Sequence, residues 1–511
     1  MKGLIPTLLC DFYKVSHREQ YPENTEVVYS TWTPRSGKHA PRIDRVVSVG
    51  FQGFVKEFMI DFFNENFFSR PRAEIVHEYA RYIKHCLFVQ NPDTTHIEEL
   101  HDLGYLPLSV RALDEGLLVP FRVPMLTIEN TDPRFFWLTN YFETLASNSL
   151  WKASTSASTA RIYRQILDEA AIETTGSNAG VEFQGHEFAM RGMSGIEDSA
   201  RTGIGHLLSF VGTDTIPAIQ YAEQYYGADI EKELVGCSVN ATEHSVMCAG
   251  GKKDEYETYR RLIEDVYPTG IISIVSDTWD LWHVITDTLP KLKDSIMARD
   301  GGPDSLDKVV IRPDSGCPVK IICGDPSAPA GSPANKGVVE LLHDIFGGTI
   351  TDQGYKVLDS HIGAIYGDAI TIERCQAICD GLKAKGFAST NVIFGIGSYT
   401  YQYVTRDTLG FAMKSTSVTI DGVRQAIFKD PATDDGTKKS AFGRVKVLET
   451  PSGELALVDE NDALYRGSKE EDDMLTPLFK DGKLLKVVTL SEIRKRLELK
   501  NDSKGSKSQS A

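Results

Sequence analysis

The amino-acid sequence predicts an α/β fold in which a parallel sheet forms a βα barrel. Beyond residue 200, short apolar runs alternate with stretches of helical periodicity, and such continuous runs are typical of strands buried on both faces. A small polar signature follows each run, and a βα barrel builds its site at those strand ends. A doubly wound open sheet, which also binds ligands at carboxyl ends, is the alternative. The predicted strands cover residues 208–211, 271–275, 309–311, 362–366 and 392–394.

The two ends of the chain predict a separate β-rich region. Pro107, Pro120 and Pro124 break the stretch 108–128 into short strands of the kind found at sheet edges. Short strands return after residue 416, and we expect them to pack on the N-terminal lobe. A stretch rich in Pro, Ala, Gly and Ser over 323–337 predicts a surface insertion in the barrel. The predicted parts are an N-terminal mixed lobe over 1–150, the barrel over 151–415, a C-terminal β-rich segment over 416–499 and a flexible tail over 500–511.

Composition and charge exclude several classes of protein. The chain has 511 residues with 55 Lys and Arg against 71 Asp and Glu, a net charge of −16, whereas nucleic acids and anionic membranes require a basic face. No apolar run approaches the roughly 18 residues that span a bilayer. The eight cysteines are scattered without a CxxC pair, a pattern typical of reduced thiols. We therefore expect a cytoplasmic protein with no nucleic-acid or membrane partner.

The stretch 311–316 is the sharpest chemical signal in the sequence. Arg312 offers a planar fork of donors that suits phosphate, and Asp314 can order a ribose hydroxyl or a metal-bound water. Gly316 allows close approach of the backbone. A purely structural, salt-bridged turn is the alternative, but the position at a strand end favours function.

Two further strand ends carry residues that suit phosphate binding. Gly367 and Asp368 follow one predicted strand, and Gly397 and Ser398 follow another. Backbone amides there lie where a strand gives way to a helix, which is an arrangement that holds phosphate. Glycines at strand ends are also common in tight turns that bind nothing, and neither a Walker loop nor a complete dinucleotide fingerprint is present.

Single residues elsewhere are ambiguous when each is taken alone. His244 stands beside a carboxylate that can fix its tautomer, although a lone histidine is more often structural. Phe188 lies three positions before Arg191, as a ring-stacking and anion-binding pair would, but a buried ring beside a surface arginine is the simpler interpretation. Arg406 and Lys414 are more often solvated surface charges.

The motifs exclude some chemistry and favour one class of reaction. Neither a nucleophile-elbow serine nor an HExxH zinc motif is present. Together the strand-end residues supply arginine, carboxylate, imidazole, aromatic and amide groups, which fit a phosphorylated sugar and a flat ring. A transferase that joins a base to a sugar requires this set.

Taken in order, these motifs resemble those of the nicotinamide phosphoribosyltransferase family over roughly residues 5 to 495. The resemblance implies an irregular βα barrel like that of type II phosphoribosyltransferases, with a β-rich flanking domain built from both chain ends. It also implies a homodimer with active sites at the subunit interface. The implied reaction joins nicotinamide to 5-phosphoribosyl 1-diphosphate, giving nicotinamide mononucleotide and diphosphate in NAD salvage. The matching stretches are 11–17, 186–194, 212–215, 238–245, 276–277, 311–316, 367–368, 405–407 and 428–431.

The resemblance assigns nicotinamide to three residues. Phe188 and Tyr13 would sandwich the pyridine ring, with Tyr13 donated by the partner subunit. Asp214 would accept hydrogen bonds from the carboxamide NH₂ group. A carboxylate at that place repels the carboxylate of nicotinate, so nicotinamide is favoured.

The resemblance assigns catalysis to His244, Asp314 and Arg312, with Mg²⁺ as cofactor and ATP as co-substrate. In the family ATP phosphorylates the matching histidine, and Glu243 or Asp277 would orient its imidazole. Arg191, Arg312 and His244 would face the diphosphate. The chain departs from the family pattern where Ser398 interrupts a run of glycines. The other expected substrate-binding residues are Ser273, Asp277, Gly367, Asp368, Gly397, Ser398, Arg406, Lys414 and, from the second subunit, Arg35.

Two other functions stay open at this point. A nicotinate phosphoribosyltransferase would require a cation or a neutral donor in place of Asp214. A non-catalytic interaction protein on the same scaffold is opposed by the presence of His244, Arg312 and Asp314.

Overall fold

The computed structural model describes residues 3–303, 305–367, 369–429 and 440–505, with side chains up to residue 498. The chain divides into two units, each with its own core. The flanking unit comprises Met1–Ser158, Tyr221–Asp229 and Val404–Ala511, and the barrel unit comprises Thr159–Gln220 and Ile230–Tyr403. The sequence predicts the barrel over 151–415, whereas the barrel unit begins at Thr159 and ends at Tyr403, and Tyr221–Asp229 belongs to the flanking unit.

Strands are numbered β1 to β20 along the chain. The first five belong to the flanking unit: β1 Thr25–Thr33, β2 Arg45–Val47, β3 Leu108–Ala112, β4 Leu118–Pro120 and β5 Leu126–Asn130. The next nine belong to the barrel unit: β6 Gly185–Glu187, β7 Gly212–Thr213, β8 Asn240–Ala241, β9 Ile271–Val275, β10 Lys308–Arg312, β11 Gly348–Ile350, β12 Lys356–Leu358, β13 Ile362–Tyr366 and β14 Val392–Ile396. The last six return to the flanking unit: β15 Ala412–Ile420, β16 Val423–Ala426, β17 Val445–Glu449, β18 Leu455–Asp459, β19 Thr476–Lys480 and β20 Lys483–Leu484.

The barrel unit is built on a seven-stranded parallel sheet in the order β7-β6-β14-β13-β10-β9-β8. A parallel bridge between Gly212 and Cys237 joins β7, at one end of this order, to the segment that leads into β8, at the other end. The sheet therefore curves into an irregular barrel, and the open doubly wound alternative is not what forms. The strand predicted at 208–211 forms instead at 212–213, as β7, because Leu207–Ser209 form the turn that ends the preceding helix.

Helices cover the barrel strands with apolar faces. The helix Val338–Phe346 buries Val338, Leu342 and Phe346, which recur at helical spacing. The stretch 323–337 holds a short helix, Pro333–Lys336, after the helix Pro318–Cys323. The helix Ile216–Tyr226 begins in this unit and ends in the flanking unit. The other helices of the barrel unit, including turns of π type, are Ile196–His206, His244–Gly250, Glu255–Arg260, Arg261–Val266, Leu281–His283, Val284–Thr288, Leu289–Lys291, Lys293–Met297, Ile372–Ala384 and Ser398–Tyr401.

The flanking unit is built on a seven-stranded sheet in the order β16-β15-β1-β5-β3-β19-β20, with antiparallel pairings. β1 pairs with β15 and β3 pairs with β19, so strands from both chain ends form one sheet, which confirms the predicted flanking domain. Trp32 of β1 is fully buried and stacks on Phe411 at 5.2 Å between ring centroids. The helices outside the barrel unit are Phe12–Val15, His17–Gln20, Phe51–Phe54, Val55–Phe62, Asn64–Phe68, Arg72–Cys86, Thr95–Leu103, Leu138–Tyr141, Ala463–Gly467 and Leu490–Gly505, while Glu143–Thr175 crosses the boundary.

No helix in the described part of the chain is both long enough and apolar enough to cross a membrane.

Candidate active site

A cavity of about 700 Å³ lies at the carboxyl ends of the barrel strands. Because the strands are parallel, the residues that follow each of them meet at one end of the barrel. Six of the residues expected from the sequence line this one cavity: Phe188, Arg191, Asp214, Arg312, Asp314 and Gly367.

Phe188 follows β6 and forms part of the cavity wall. Its backbone N–H donates to the Ile396 carbonyl at 3.0 Å, which ties the end of β6 to β14. Gly395 lies against the ring, since a Cβ there would come within 2.8 Å of Phe188 ring atoms. The rings of His186 and Phe188 are 4.7 Å apart between centroids. The position of the Phe188 ring is therefore set from two sides.

Asp214 follows β7 and brings a carboxylate to the cavity. Its Oδ1 accepts hydrogen bonds from His186 Nε2 at 2.9 Å and from Ser238 Oγ at 2.5 Å. Burial raises the pKa of this carboxyl, but the hydrogen bonds and charge interactions with His186, Ser238 and Arg312 together outweigh burial, so the pKa lies below its ordinary value. The side chain is 44% exposed. Asp214 is therefore an ionised acceptor that a ligand can reach.

Glu187 is a buried residue that holds Phe188 and Asp214 in position through hydrogen bonds. Its carboxylate is buried and accepts from the Ala189 N–H and, at 2.9 Å, from the Thr213 hydroxyl. Its carbonyl accepts from the Asp214 N–H at 3.0 Å. Burial raises the pKa of the Glu187 carboxyl. One side chain thus joins the turns that carry Phe188 and Asp214.

Arg312, the last residue of β10, places a cation in the cavity wall. Its Nη2 donates to the Thr242 carbonyl at 2.5 Å. Burial lowers the pKa of the guanidinium, while the carboxylates of Asp314 and Asp214 act in the opposite direction. Its Nε is buried and has no hydrogen-bond partner among the described residues. A buried donor without a partner is costly, and an anionic or carbonyl ligand would satisfy it.

Asp277 connects the ends of three strands. His244 Nε2 lies 3.3 Å from Asp277 Oδ1, while Asp277 Oδ2 accepts from the Asp314 N–H at 3.1 Å and from Ser315 Oγ at 2.5 Å. Asp277 is nearly buried and His244 is half exposed. Of the two carboxylates considered for orienting His244, Asp277 is the one in contact, whereas Glu243 accepts from the Ser245 hydroxyl.

The remaining predicted residues of this unit are Gly367, Ser273, Gly397, Ser398 and Asp368. A Cβ at Gly367 would lie 2.7 Å from Asp314 Oδ1, so the backbone and that carboxylate approach closely. Ser273 on β9 is buried, and its hydroxyl has no partner in the described part of the chain. Gly397 precedes the helix Ser398–Tyr401. Asp368 lies outside the described residues.

Four predicted residues, Tyr13, Arg35, Arg406 and Lys414, belong to the flanking unit. Burial lowers the pKa of the Lys414 ammonium; the Glu143 carboxylate acts in the opposite direction, and the charges of Arg35 and Arg406 act in the same direction as burial. Arg35 Nε donates to the Gly410 carbonyl at 2.7 Å. Tyr13 is 58% exposed. The flanking unit therefore holds a group of neighbouring cations within an acidic chain.

Reasoning from the sequence missed His186 and Ser238, the two donors to Asp214. His186 stands two positions before Phe188, and residues i and i+2 of a strand share a face. That spacing is the signal that could have found His186. Ser238 offers no comparable signal.

No group of three or more His, Cys, Asp or Glu side chains within the described ranges is arranged to hold a metal ion. Mg²⁺ commonly binds through one or two carboxylates, several waters and substrate phosphates. Asp314, a carboxylate in the cavity wall, suits that mode of binding.

Comparison with known families matches most of the chain. Residues 6–110 match the N-terminal domain of nicotinamide phosphoribosyltransferase, and residues 183–471 match the nicotinate phosphoribosyltransferase (NAPRTase) family.

Two solved structures share the fold. A nicotinate-nucleotide pyrophosphorylase from Pyrococcus furiosus aligns at a TM-score of 0.55 and 15% identity, covering 97% of this chain and 96% of that one. Human nicotinic acid phosphoribosyltransferase aligns at 0.52 and 16% identity, covering 97% and 94%. These likenesses confirm the predicted fold, the irregular barrel of type II phosphoribosyltransferases with its flanking domain.

Two relatives found by sequence share a higher identity with this chain than these two structures do. A nicotinamide phosphoribosyltransferase from Acinetobacter baylyi is 52% identical over 498 residues, which cover 96% of this chain and 97% of that protein. One from Mycoplasma pneumoniae is 34% identical, covering 86% of this chain and 94% of its own length. On these grounds the chain belongs to the nicotinamide phosphoribosyltransferase family.

Proposed function

We propose that this protein joins nicotinamide to 5-phosphoribosyl 1-diphosphate, forming nicotinamide mononucleotide and diphosphate in NAD salvage. The observation that carries the proposal is the Asp214 carboxylate, which lines the same cavity as Phe188 and Arg312. An aromatic face, an acceptor for an amide and a cation are the groups that a pyridine carboxamide and a diphosphate need. Membership of the family supports the same reaction.

Asp214 selects the carboxamide. Its ionised carboxylate accepts hydrogen bonds and offers no proton, so it pairs with the NH₂ of nicotinamide. The carboxylate of nicotinate would bring a second negative charge to the same place, which is unfavourable in a partly desolvated site. The hydroxyl of Ser273, which has no hydrogen-bond partner among the described residues, is a donor that would suit the carboxamide oxygen.

The chemical step is a displacement at the anomeric carbon of the ribose. The C1–O bond to diphosphate breaks and its electron pair leaves with the diphosphate, while the ring nitrogen supplies the pair for the new C1–N bond. Arg191 and Arg312 would stabilise the charge that develops on the leaving oxygens, and Phe188 would align the ring nitrogen. Asp314 would hold the ribose hydroxyls. The protein needs to supply no covalent intermediate for this step.

Asp314 would hold the Mg²⁺ ion at the diphosphate. When bound, the ion supplies positive charge to the leaving group.

His244 is the proposed site of coupling to ATP. When Nε2 donates to Asp277, the lone pair of the imidazole lies on Nδ1. Nδ1 is then the atom that would take the γ-phosphoryl group, as the bond from that phosphorus to the β-phosphate oxygen breaks and ADP leaves. The exposure of His244 supports this role, because ATP must reach the ring.

The assignments to the flanking unit rest on the family resemblance. In that resemblance Arg406 and Lys414 belong to the set of residues that hold the ribose and the 5′-phosphate, and Tyr13 and Arg35 come from the second subunit of a homodimer. These roles, the dimer and the cytoplasmic location stay predictions.

The experiment supplies purified protein with 5-phosphoribosyl 1-diphosphate, Mg²⁺ and either nicotinamide or nicotinate, with and without ATP, and separates the mononucleotides by chromatography. We expect nicotinamide mononucleotide and faster turnover with ATP. Product from nicotinate alone would overturn the substrate assignment, and no product from either would favour a non-catalytic role.

A His244→Ala variant tests the coupling separately. We expect turnover without ATP to continue and the acceleration by ATP to disappear. His283→Ala, which removes an exposed histidine of the same unit, serves as the control and should keep the acceleration. Equal acceleration in both variants would contradict the role of His244.

A further inference from the structure

His186 is a nearly buried residue to which the proposed reaction gives no direct role. It is 8% exposed, lies in the centre of β6 and makes two contacts toward the cavity. Its Nε2 meets Asp214 Oδ1 at 2.9 Å, and its ring packs on the ring of Phe188. Phe188 and Asp214, two of the residues proposed to hold nicotinamide, are therefore both in contact with one imidazole.

The hydrogen bonds to Asp214 are unevenly distributed between its two oxygens. Both donors, His186 Nε2 and Ser238 Oγ, approach Oδ1. Within the described residues no hydrogen bond reaches Oδ2. An ionised carboxylate accepts only, so His186 must carry its proton on Nε2. The arrangement leaves one carboxylate oxygen, in a fixed orientation, for a ligand.

The backbone around His186 is shaped to keep the ring in place. A Cβ at Gly212 would lie 2.8 Å from His186 Nδ1, so a side chain at that position of β7 would displace the imidazole. The backbones of His186 and Gly212 are paired across the two strands. The imidazole therefore reaches Asp214 from the neighbouring strand without needing to move.

We propose that His186 is a positioning residue that sets the preference for nicotinamide over nicotinate, by holding the Asp214 carboxylate in one orientation with Oδ2 free. This inference rests on the proposed function. Without the imidazole, Asp214 can rotate about its side-chain bonds and is only partly restrained by Ser238. Asp214 Oδ2 then accepts from the carboxamide of nicotinamide in a smaller fraction of molecules. The Asp214 charge is also no longer held next to the carboxylate of nicotinate, so it repels nicotinate less.

Two variants of His186 separate positioning from packing. The side-chain nitrogen of glutamine in His186→Gln lies about as far from Cβ as the imidazole Nε2 and can donate to Oδ1. His186→Leu fills a similar volume but has no donor. For His186→Leu we expect the KM for nicotinamide to rise about tenfold, with kcat within about twofold of the unmodified protein. The ratio of kcat/KM for nicotinamide to that for nicotinate should fall about tenfold, and His186→Gln should restore most of both values.

Ser238→Ala provides an independent measurement if His186→Leu fails to fold. Ser238 is exposed, so its loss leaves the core intact. We expect the same direction of change, about threefold in the selectivity ratio, because His186 still holds Oδ1. Thermal unfolding of each variant establishes that the folded protein is being assayed.

The outcomes distinguish this inference from the proposed function. If the unmodified protein makes no nicotinamide mononucleotide, the proposed function fails and the inference fails with it. If that protein is active but the selectivity ratio is unchanged in His186→Leu and Ser238→Ala, only the inference is overturned. Equal loss in His186→Gln and His186→Leu also overturns it, since packing rather than hydrogen bonding would then explain the effect.

Discussion

The barrel unit and the flanking unit each contain a seven-stranded sheet, but the strands are connected in different ways. In the barrel unit the strands are parallel, and the residues after them meet at one end, where the cavity lies. In the flanking unit they are antiparallel, so successive strands end at opposite edges. The first arrangement concentrates polar chemistry at one place, and the second joins distant parts of the chain, such as Thr31 and Lys414, across one sheet.

Each unit also contains a buried glutamate whose carboxylate accepts from backbone N–H. Glu187 does so at the cavity, and Glu115 does so in the flanking unit, where it accepts from Gly50 N–H at 3.2 Å and from Gln52 N–H at 2.7 Å. Burial raises the pKa of both carboxyls. The comparison indicates that a raised carboxyl pKa is by itself no sign of catalysis, because Glu115 serves the start of a helix.

The largest effect on activity should come from the end of a barrel strand. Arg312→Ala removes a buried cation from the cavity wall, and we expect kcat/KM to fall about 10³-fold, since losing one preorganised donor to a developing charge commonly costs about 10² to 10³. Steady-state kinetics with nicotinamide measures this. Arg261→Ala, at an exposed arginine of the same unit, should change kcat/KM less than about twofold. If kcat/KM fell equally in Arg312→Ala and Arg261→Ala, the end of the strand would matter no more to activity than an exposed surface position.

The largest effect on stability should come from the core of the flanking sheet. Trp32→Ala removes a fully buried ring that stacks on Phe411, and we expect the free energy of unfolding to fall by about 3–5 kcal/mol. Chemical denaturation followed by circular dichroism measures the change. Leu485→Ala, at a half-exposed position of the same unit, is the control and should cost less than about 1 kcal/mol. A cost below that level for Trp32→Ala would show that the sheet core contributes little.

Asp214→Asn should change the choice of substrate more than the rate. The amide has nearly the same shape but no charge, so the repulsion of nicotinate disappears. We expect the selectivity ratio of kcat/KM to fall about 10- to 100-fold toward nicotinate. Competition between the two substrates measures the ratio directly. Asp352→Asn, at an exposed aspartate of the barrel unit, should leave the ratio unchanged, and an unchanged ratio in Asp214→Asn would mean that another group makes the choice.

The smallest expected effect is a change of protein stability with pH, caused by the buried carboxyl of Glu115. Because its folded-state pKa is raised above 4.5, the folded protein binds the proton more tightly than the unfolded chain, and stability falls as pH rises from about 4.5 through the raised pKa. Each pH unit that separates the folded-state pKa from the unfolded-state pKa contributes about 1.4 kcal/mol to this fall. Glu115→Gln cannot titrate. The free energy of unfolding of the unmodified protein minus that of Glu115→Gln should therefore decrease between about pH 5 and pH 8. Thermal unfolding at both pH values checks this, and a difference that grows with pH would reverse the sign.

The sequence predicted the barrel and much of its cavity because each signal was local. Arg312 and Gly367 come at the ends of short apolar runs, and parallel strands bring such positions together. Phe188 was found through its spacing from Arg191 and through the family resemblance. β6 and β8 were not predicted, since they have only three and two residues and no apolar run.

The support around Asp214 could not be predicted in the same way. His186 and Ser238 lie 28 and 24 residues away from it along the chain. No periodicity connects positions in three different segments. Such contacts depend on the register of β6 against β7 and on the bridge that closes the barrel, which only the folded chain specifies.

The pairing of β1 with β15 has a consequence for the order of synthesis. A ribosome makes β1 long before β15, and the whole barrel unit lies between them in the chain. Barrel strands can begin to pair while translation continues, whereas an edge of β1 must wait, with its amides and carbonyls unpaired, until residues 412–420 have emerged. The nascent chain therefore carries an open strand edge for most of its synthesis, and its completion depends on a late, non-local contact of the kind that folds slowly.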